Sequence, residues 1–110
     1  MAAHSVNEYR SVEAWRHDLS EQWGGDPLAE EPDKLMALQR FCEFIGEDPD
    51  QIVARCFRIR KADGERVISA KWRTHYAGKV KEFRDRNADS QRLAADVLSF
   101  LIHNGVMMQI

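Results

Sequence analysis

Apolar side chains recur along this chain at spacings of three and four, the period that stacks them on one face of a helix. Val12, Trp15, Leu19 and Trp23 form the first such stripe and predict a helix over about residues 5–23, broken by Gly24-Gly25. Residues 26–31 read as an acidic, proline-containing connector. A second helix starts near Pro32, because a first-turn N–H has no partner for proline to remove. Leu35, Leu38, Phe41, Cys42 and Ile45 are its buried stripe, widened by Met36 and Phe44, and Gly46 suits the left-handed conformation that closes a helix.

The third helix has the clearest cap: Asp48 precedes Pro49, and Gln51 stands three residues after Asp48, the spacing of a capping box. Ile52, Val53, Cys56 and Phe57 give it an apolar side, it runs on into Arg58-Ile59-Arg60-Lys61, and Asp63-Gly64 supplies a turn. A long helix is predicted over 65–86, with Ile68, Trp72, Tyr76, Val80 and Phe83 on one face. Asp89 or Ser90 then caps a last helix over 90–104. Leu93, Ala94, Val97, Leu98, Phe100, Leu101 and Ile102 make it apolar on nearly all sides, which places it at the bundle centre. Asn104-Gly105 ends it, with Val106 packing back on Leu101. Strand signals are poor: no run of alternating β-branched residues stands out. The expected fold class is all-α, a compact bundle of four to five helices.

The chain's 110 residues fit one domain, and an apolar fraction of 44% is that of a globular protein. No stretch of 18 apolar residues spans a membrane, and the start Met-Ala-Ala-His-Ser-Val-Asn-Glu lacks the features of a secretory signal. Cys42 and Cys56 both lie in apolar stripes, as buried reduced thiols do. A cytoplasmic, soluble domain is the expectation.

Charge changes the picture. The net charge is −2, but residues 1–54 hold twelve acids against four bases, while residues 55–86 hold eleven bases against four acids. Such a basic block suits a polyanion, since affinity for nucleic acid grows with the number of counterions released. At 100° per residue Arg66, Arg73 and Arg84 fall on one flank of the predicted 65–86 helix, with Lys81 further round. His75 lies among these cations and is a lesser candidate for a DNA contact; a surface histidine is the plainer reading. His103 sits at a helix C-terminus, where a cation is favourable.

No catalytic set emerges. His4, His17, His75 and His103 are scattered over separate segments, no Cys-x-x-Cys exists, and no glycine-rich loop follows a strand. No catalytic residue, metal site, cofactor or small-molecule substrate is therefore expected.

Several runs resemble one family. Leu35-Met36-Ala37-Leu38-Gln39-Arg40-Phe41-Cys42-Glu43-Phe44-Ile45-Gly46 is similar to the first helix of the core-binding domain of tyrosine recombinases, the phage-integrase and Xer-like enzymes. Glu47-Asp48-Pro49-Asp50-Gln51-Ile52 resembles the Gly-x-x-Pro-Asp-Glu-Leu-Ile continuation of its microbial integrase relatives. Tyr76 through Phe83 is similar to the helix before the family's last turn. Leu98-Ser99-Phe100-Leu101-Ile102-His103-Asn104-Gly105-Val106 resembles its closing Arg-Ser-Phe-Phe-x-x-Asn-Gly-Ile. The likeness covers about residues 32–106, with the 5–23 helix as an addition.

It implies a SAM-like bundle that clamps a recombination half-site on double-stranded DNA, alongside other recombinase subunits, in DNA integration and recombination. The family's catalytic residues belong to a separate C-terminal domain expected beyond Ile110, so this chain is expected to bind DNA without cutting it. Leu98 stands where the family has a basic residue, which shifts the expected contacts elsewhere. The expected DNA-binding residues are Arg55, Arg58, Arg60 and Lys61, then Arg66, Lys71, Arg73, Lys79, Lys81 and Arg84, with Ser90 and Arg92 at the start of the last helix. The rival expectation is a helical protein-interaction module without nucleic-acid binding, whose acidic first half docks a basic partner through Trp15 and Trp23.

Overall fold

The computed structural model describes residues 9–86, 90–108 and 110. Among them the chain forms six helices: α1 (Arg10–Trp23), α2 (Pro27–Glu30), α3 (Asp33–Ile45), α4 (Pro49–Arg55), α5 (Ala70–Asp85) and α6 (Ser90–His103). Between α4 and α5 stand two short antiparallel strands, β1 (Phe57–Ile59) and β2 (Arg66–Ile68). The fold is mostly helical.

Helix α6 is central, packing against α1, α3 and α5. Its Ala94, Val97, Phe100 and Leu101 are buried among Leu38 and Phe41 of α3, Tyr76, Val80 and Phe83 of α5, and Trp15 of α1. Trp15 presents its edge to Phe100, with ring centroids 5.6 Å apart, and its indole N–H donates to Ser99 Oγ at 3.1 Å. Burying a large aromatic side chain with its one polar group satisfied makes a large contribution to a core.

The caps read from sequence are formed. Asp48 accepts from the Gln51 N–H, and the Gln51 side chain accepts from the Asp48 N–H, which completes the capping box. Gly46 closes α3 at φ +72°. At the end of α6, Val106 N–H bonds the Leu101 carbonyl and Gly105 N–H the Ile102 carbonyl, the Schellman pattern, and Val106 is fully buried. Asn104 also donates to the carbonyls of Ser11 and Phe100, which ties this ending to the first turn of α1. His103 contacts Asp18 of α1 at 2.5 Å.

Four expectations are corrected. The third helix does not run through Arg58–Lys61, and the long helix does not start at 65. The chain pairs Phe57 with Ile68, Arg58 with Val67 and Ile59 with Arg66 instead. Gly64 takes φ +72° in the six-residue connection, where Arg60 N–H bonds the Glu65 carbonyl and Gly64 N–H the Arg60 carbonyl. Ser69 ends the ladder by donating its N–H to the Cys56 carbonyl at 2.7 Å and starts α5 by accepting from the Trp72 N–H. Three-residue strands are too short for a period of two to show against a helical background.

The 26–31 connector instead contains a helical turn, α2, capped by Asp26 and burying Pro27 and Leu28. Trp23 lies in the expected direction but is 73% exposed, and Met36 is exposed as well. Periodicity gives the face of a helix, not whether another element covers it. The proposed caps Asp89 and Ser90 fall outside the described side chains, as do residues 5–8 of the first predicted helix.

Candidate nucleic-acid interface

Residues 55–73 carry seven cations against two carboxylates, and the fold strings them over the end of α4, the hairpin and the first turn of α5. Arg55, Arg58, Arg60, Lys61, Arg66, Lys71 and Arg73 are all exposed. Arg55 pairs with Glu47, and its guanidinium lies 5.2 Å from the centre of the Trp72 ring. The Lys71 ammonium lies 5.5 Å from the same ring. One half-buried indole thus carries two cations from different helices, which gathers positive charge at the root of the hairpin. Arg66 stacks over Phe57 at 3.7 Å.

At the tip, Asp63 accepts from Arg60 Nε at 3.0 Å and from the Glu65 N–H at 3.1 Å. The Arg60 guanidinium holds the Asp63 carboxyl below the usual range, with help from the Glu65 N–H. Arg60 also lies 3.7 Å from Glu65, so its charge is largely neutralised locally. Among the described residues no carboxylate pairs with Arg58, Lys61, Arg66, Lys71, Arg73 or Lys81.

The remaining candidates separate from this group. The expected single flank of Arg66, Arg73 and Arg84 does not exist, because Arg66 belongs to β2. Arg73 and Arg84 share a direction on α5 but stand eleven residues, about 16 Å, apart along it. Lys79 is half-buried with Glu82 at 3.5 Å, Arg84 pairs with Asp85 at 3.1 Å, and exposed Arg92 lies 3.9 Å from Asp33. Ser90 is outside the described side chains.

Trp72, on the apolar face of α5, packs half-buried against the core and is also the aromatic centre of the basic end. His75 joins it, its ring edge-on to Trp72 at 5.2 Å and to Tyr76 at 5.0 Å. The adjacent Lys71-Trp72 pair was a visible signal; the arrival of Arg55 on the other side was not, since it depends on how α4 meets α5. Tyr76 is buried and donates its hydroxyl to Glu47 at 2.5 Å, so Glu47 fixes both Arg55 and Tyr76. Burial, then the Glu47 contact, pushes the Tyr76 phenol up from its ordinary value.

Both cysteines are free and buried. Burial pushes the Cys42 thiol up to about 12 and the Cys56 thiol up to about 11, so both stay protonated at neutral pH. Among the described residues no cluster of three His, Cys, Asp or Glu could hold a metal ion, and no helix is long and apolar enough to cross a membrane. What this end of the molecule offers chemically is positive charge on a fixed frame. No protein-family model, curated protein or solved structure matches the chain.

Proposed function

We propose that this chain is the DNA-binding domain of a site-specific recombinase of the tyrosine-recombinase type, a SAM-like bundle that grips one half-site on double-stranded DNA beside other recombinase subunits. The observation that carries the reading is the run from Arg55 to Arg73, exposed at every cation and mostly unpaired, on one chain-continuous frame. A further feature supports it. The residues that bear the family resemblance do structural work: the Asp48–Gln51 box, the central α6 and the Asn104-Gly105-Val106 ending.

The test is a salt titration by fluorescence anisotropy on a labelled 30-base-pair duplex. Each phosphate neutralised contributes a slope of about −0.9 in log affinity against log salt. Five cations between Arg58 and Arg73 lack a carboxylate, which gives a slope of about −4 to −5. The triple variant K61A/K71A/R73A should lower it to about −2. No binding to any duplex at 50 mM salt, or a slope near zero, overturns the proposal.

One observation favours a second reading, a protein-interaction module. Trp23 is 73% exposed and borders a groove lined by Leu19, Pro27, Glu30, Glu31 and Lys34. Trp15 takes no part in it, being fully buried.

A further inference from the structure

The hairpin makes little contribution to the core. Nine consecutive residues, Arg58 to Arg66, are exposed, and Ile59 among them shows 63% of its surface to solvent. Only Phe57, Val67 and Ile68 are half-buried. A free two-stranded hairpin is marginally stable in water. This one is pinned at both ends. Its root is held by the Ser69–Cys56 backbone bond and by Phe57, which packs against the core beside Gly105. Its tip is held by the Arg60–Asp63 pair and by Gly64 in the left-handed region. A solvent-exposed, basic ribbon pinned at both ends and mostly outside the core calls for another role.

We propose that the Phe57–Ile68 hairpin enters the major groove of duplex DNA and that Arg58 reads base edges there; the inference rests on the DNA-binding reading above. A two-stranded ribbon fits the groove, which is about 12 Å wide in B-form DNA. Side chains alternate along a strand, so Arg58 and Arg60 share one face, with Val67 opposite Arg58. Arg60 spends its guanidinium on Asp63 and Glu65 and braces the tip. Arg58 has no partner among the described residues and keeps its donor fork free for the paired acceptors of guanine. Arg55 and Lys71, gathered on Trp72 at the root, are placed to meet phosphates flanking the groove. A-form RNA has a major groove too deep and narrow for such a ribbon.

The test uses the 110-residue chain and a duplex selected from a random-sequence library at about 150 mM salt. Dimethyl sulfate interference separates the grooves, since it methylates guanine N7 in the major groove and adenine N3 in the minor. Three variants are compared with the parent: R58A; a shortened hairpin in which residues 60–65 are replaced by Asn-Gly; and K71A as the phosphate-contact control. Circular dichroism verifies that each variant keeps its helices, and exposed Arg58 guards against a folding artefact in the shortened variant.

Guanine N7 interference is expected in the parent and K71A and is lost in R58A and the shortened variant. R58A should lose about tenfold to a hundredfold in affinity for the selected site while its salt slope changes by no more than about one. An RNA duplex of the same sequence should bind far more weakly. Binding with interference only at adenine N3, R58A keeping the parent pattern, or equal affinity for the RNA duplex overturns the hairpin assignment and leaves DNA binding intact. Failure to bind any duplex at low salt overturns both.

Discussion

Asp50 joins two helix N-termini, and its removal gives the sharpest test of how the molecule is held together. Helix α1 has Tyr9 at its N-cap, which supplies no side-chain cap. Asp50, in the first turn of α4, supplies one from across the fold. Its carboxylate accepts from the Ser11 N–H at 2.8 Å, the Ser11 hydroxyl at 2.6 Å and the Arg10 N–H at 3.4 Å. Losing an N-cap costs about 0.5–2 kcal/mol, and leaving the buried Ser11 hydroxyl without its acceptor costs about 1–3 kcal/mol. The two terms overlap, so Asp50→Ala should cost about 2–3 kcal/mol.

Asp50→Asn keeps an acceptor oxygen but loses a charge that faces two helix dipoles. It should cost about 1 kcal/mol. Urea denaturation followed by circular dichroism measures both. For a chain of this size each kcal/mol moves Tm by about 4–8 °C, so Asp50→Ala should fall by roughly 10 °C or more. Ser11→Ala should cost less than Asp50→Ala, and the double variant should be non-additive by at least about 0.5 kcal/mol. Additive costs, or an Asp50→Ala variant within about 0.5 kcal/mol of the parent, would refute the shared cap.

Three other outcomes follow from the same geometry. Lys34 Nζ lies 3.1 Å from the carboxylate of buried Asp96, joining α3 to α6, so Lys34→Ala should cost about 2–3 kcal/mol, and a Lys34–Asp96 double-mutant cycle should show coupling above about 1 kcal/mol. The folded pKa values of Cys42 and Cys56, about 12 and 11, lie above the ordinary thiol value of 9.0, so the protonated forms are favoured by folding. Their contribution is complete below pH 9 and is lost as pH rises towards 11 and 12; Tm scanned from pH 7 to 11 should fall above pH 9, and a flat profile would contradict the burial of both thiols. Trp15→Ala should cost about 3–5 kcal/mol while Trp23→Ala costs no more than about 0.5 kcal/mol, and equal losses in thermal unfolding would contradict their opposite exposures.

Much of the frame was legible because it rests on local signals. The Asp48–Gln51 box, the left-handed Gly46 and the Asn104-Gly105-Val106 ending each depend on residues within one turn of one another, so sequence spacing was enough to place them. The apolar character of α6 identified it as the central helix for a similar reason: no other position in a bundle buries so many sides. The basic block between Arg55 and Arg86 was equally plain as composition.

By itself, then, the sequence determined a mostly helical chain, its capped ends, its core helix and a concentration of positive charge. Only the tertiary structure decided which cations stand together. The 57–68 hairpin depends on Phe57 meeting Ile68 eleven residues away, a pairing that no window of short period contains. Forming it removed Arg66 from the helix flank where its spacing had placed it. Arg55 of α4 and Lys71 of α5 meet on Trp72, and Trp23 is exposed because no described residue covers it. Local hydrogen bonding and periodicity are written in neighbouring residues; which surfaces face each other, and which face solvent, is set by the packing of the whole chain.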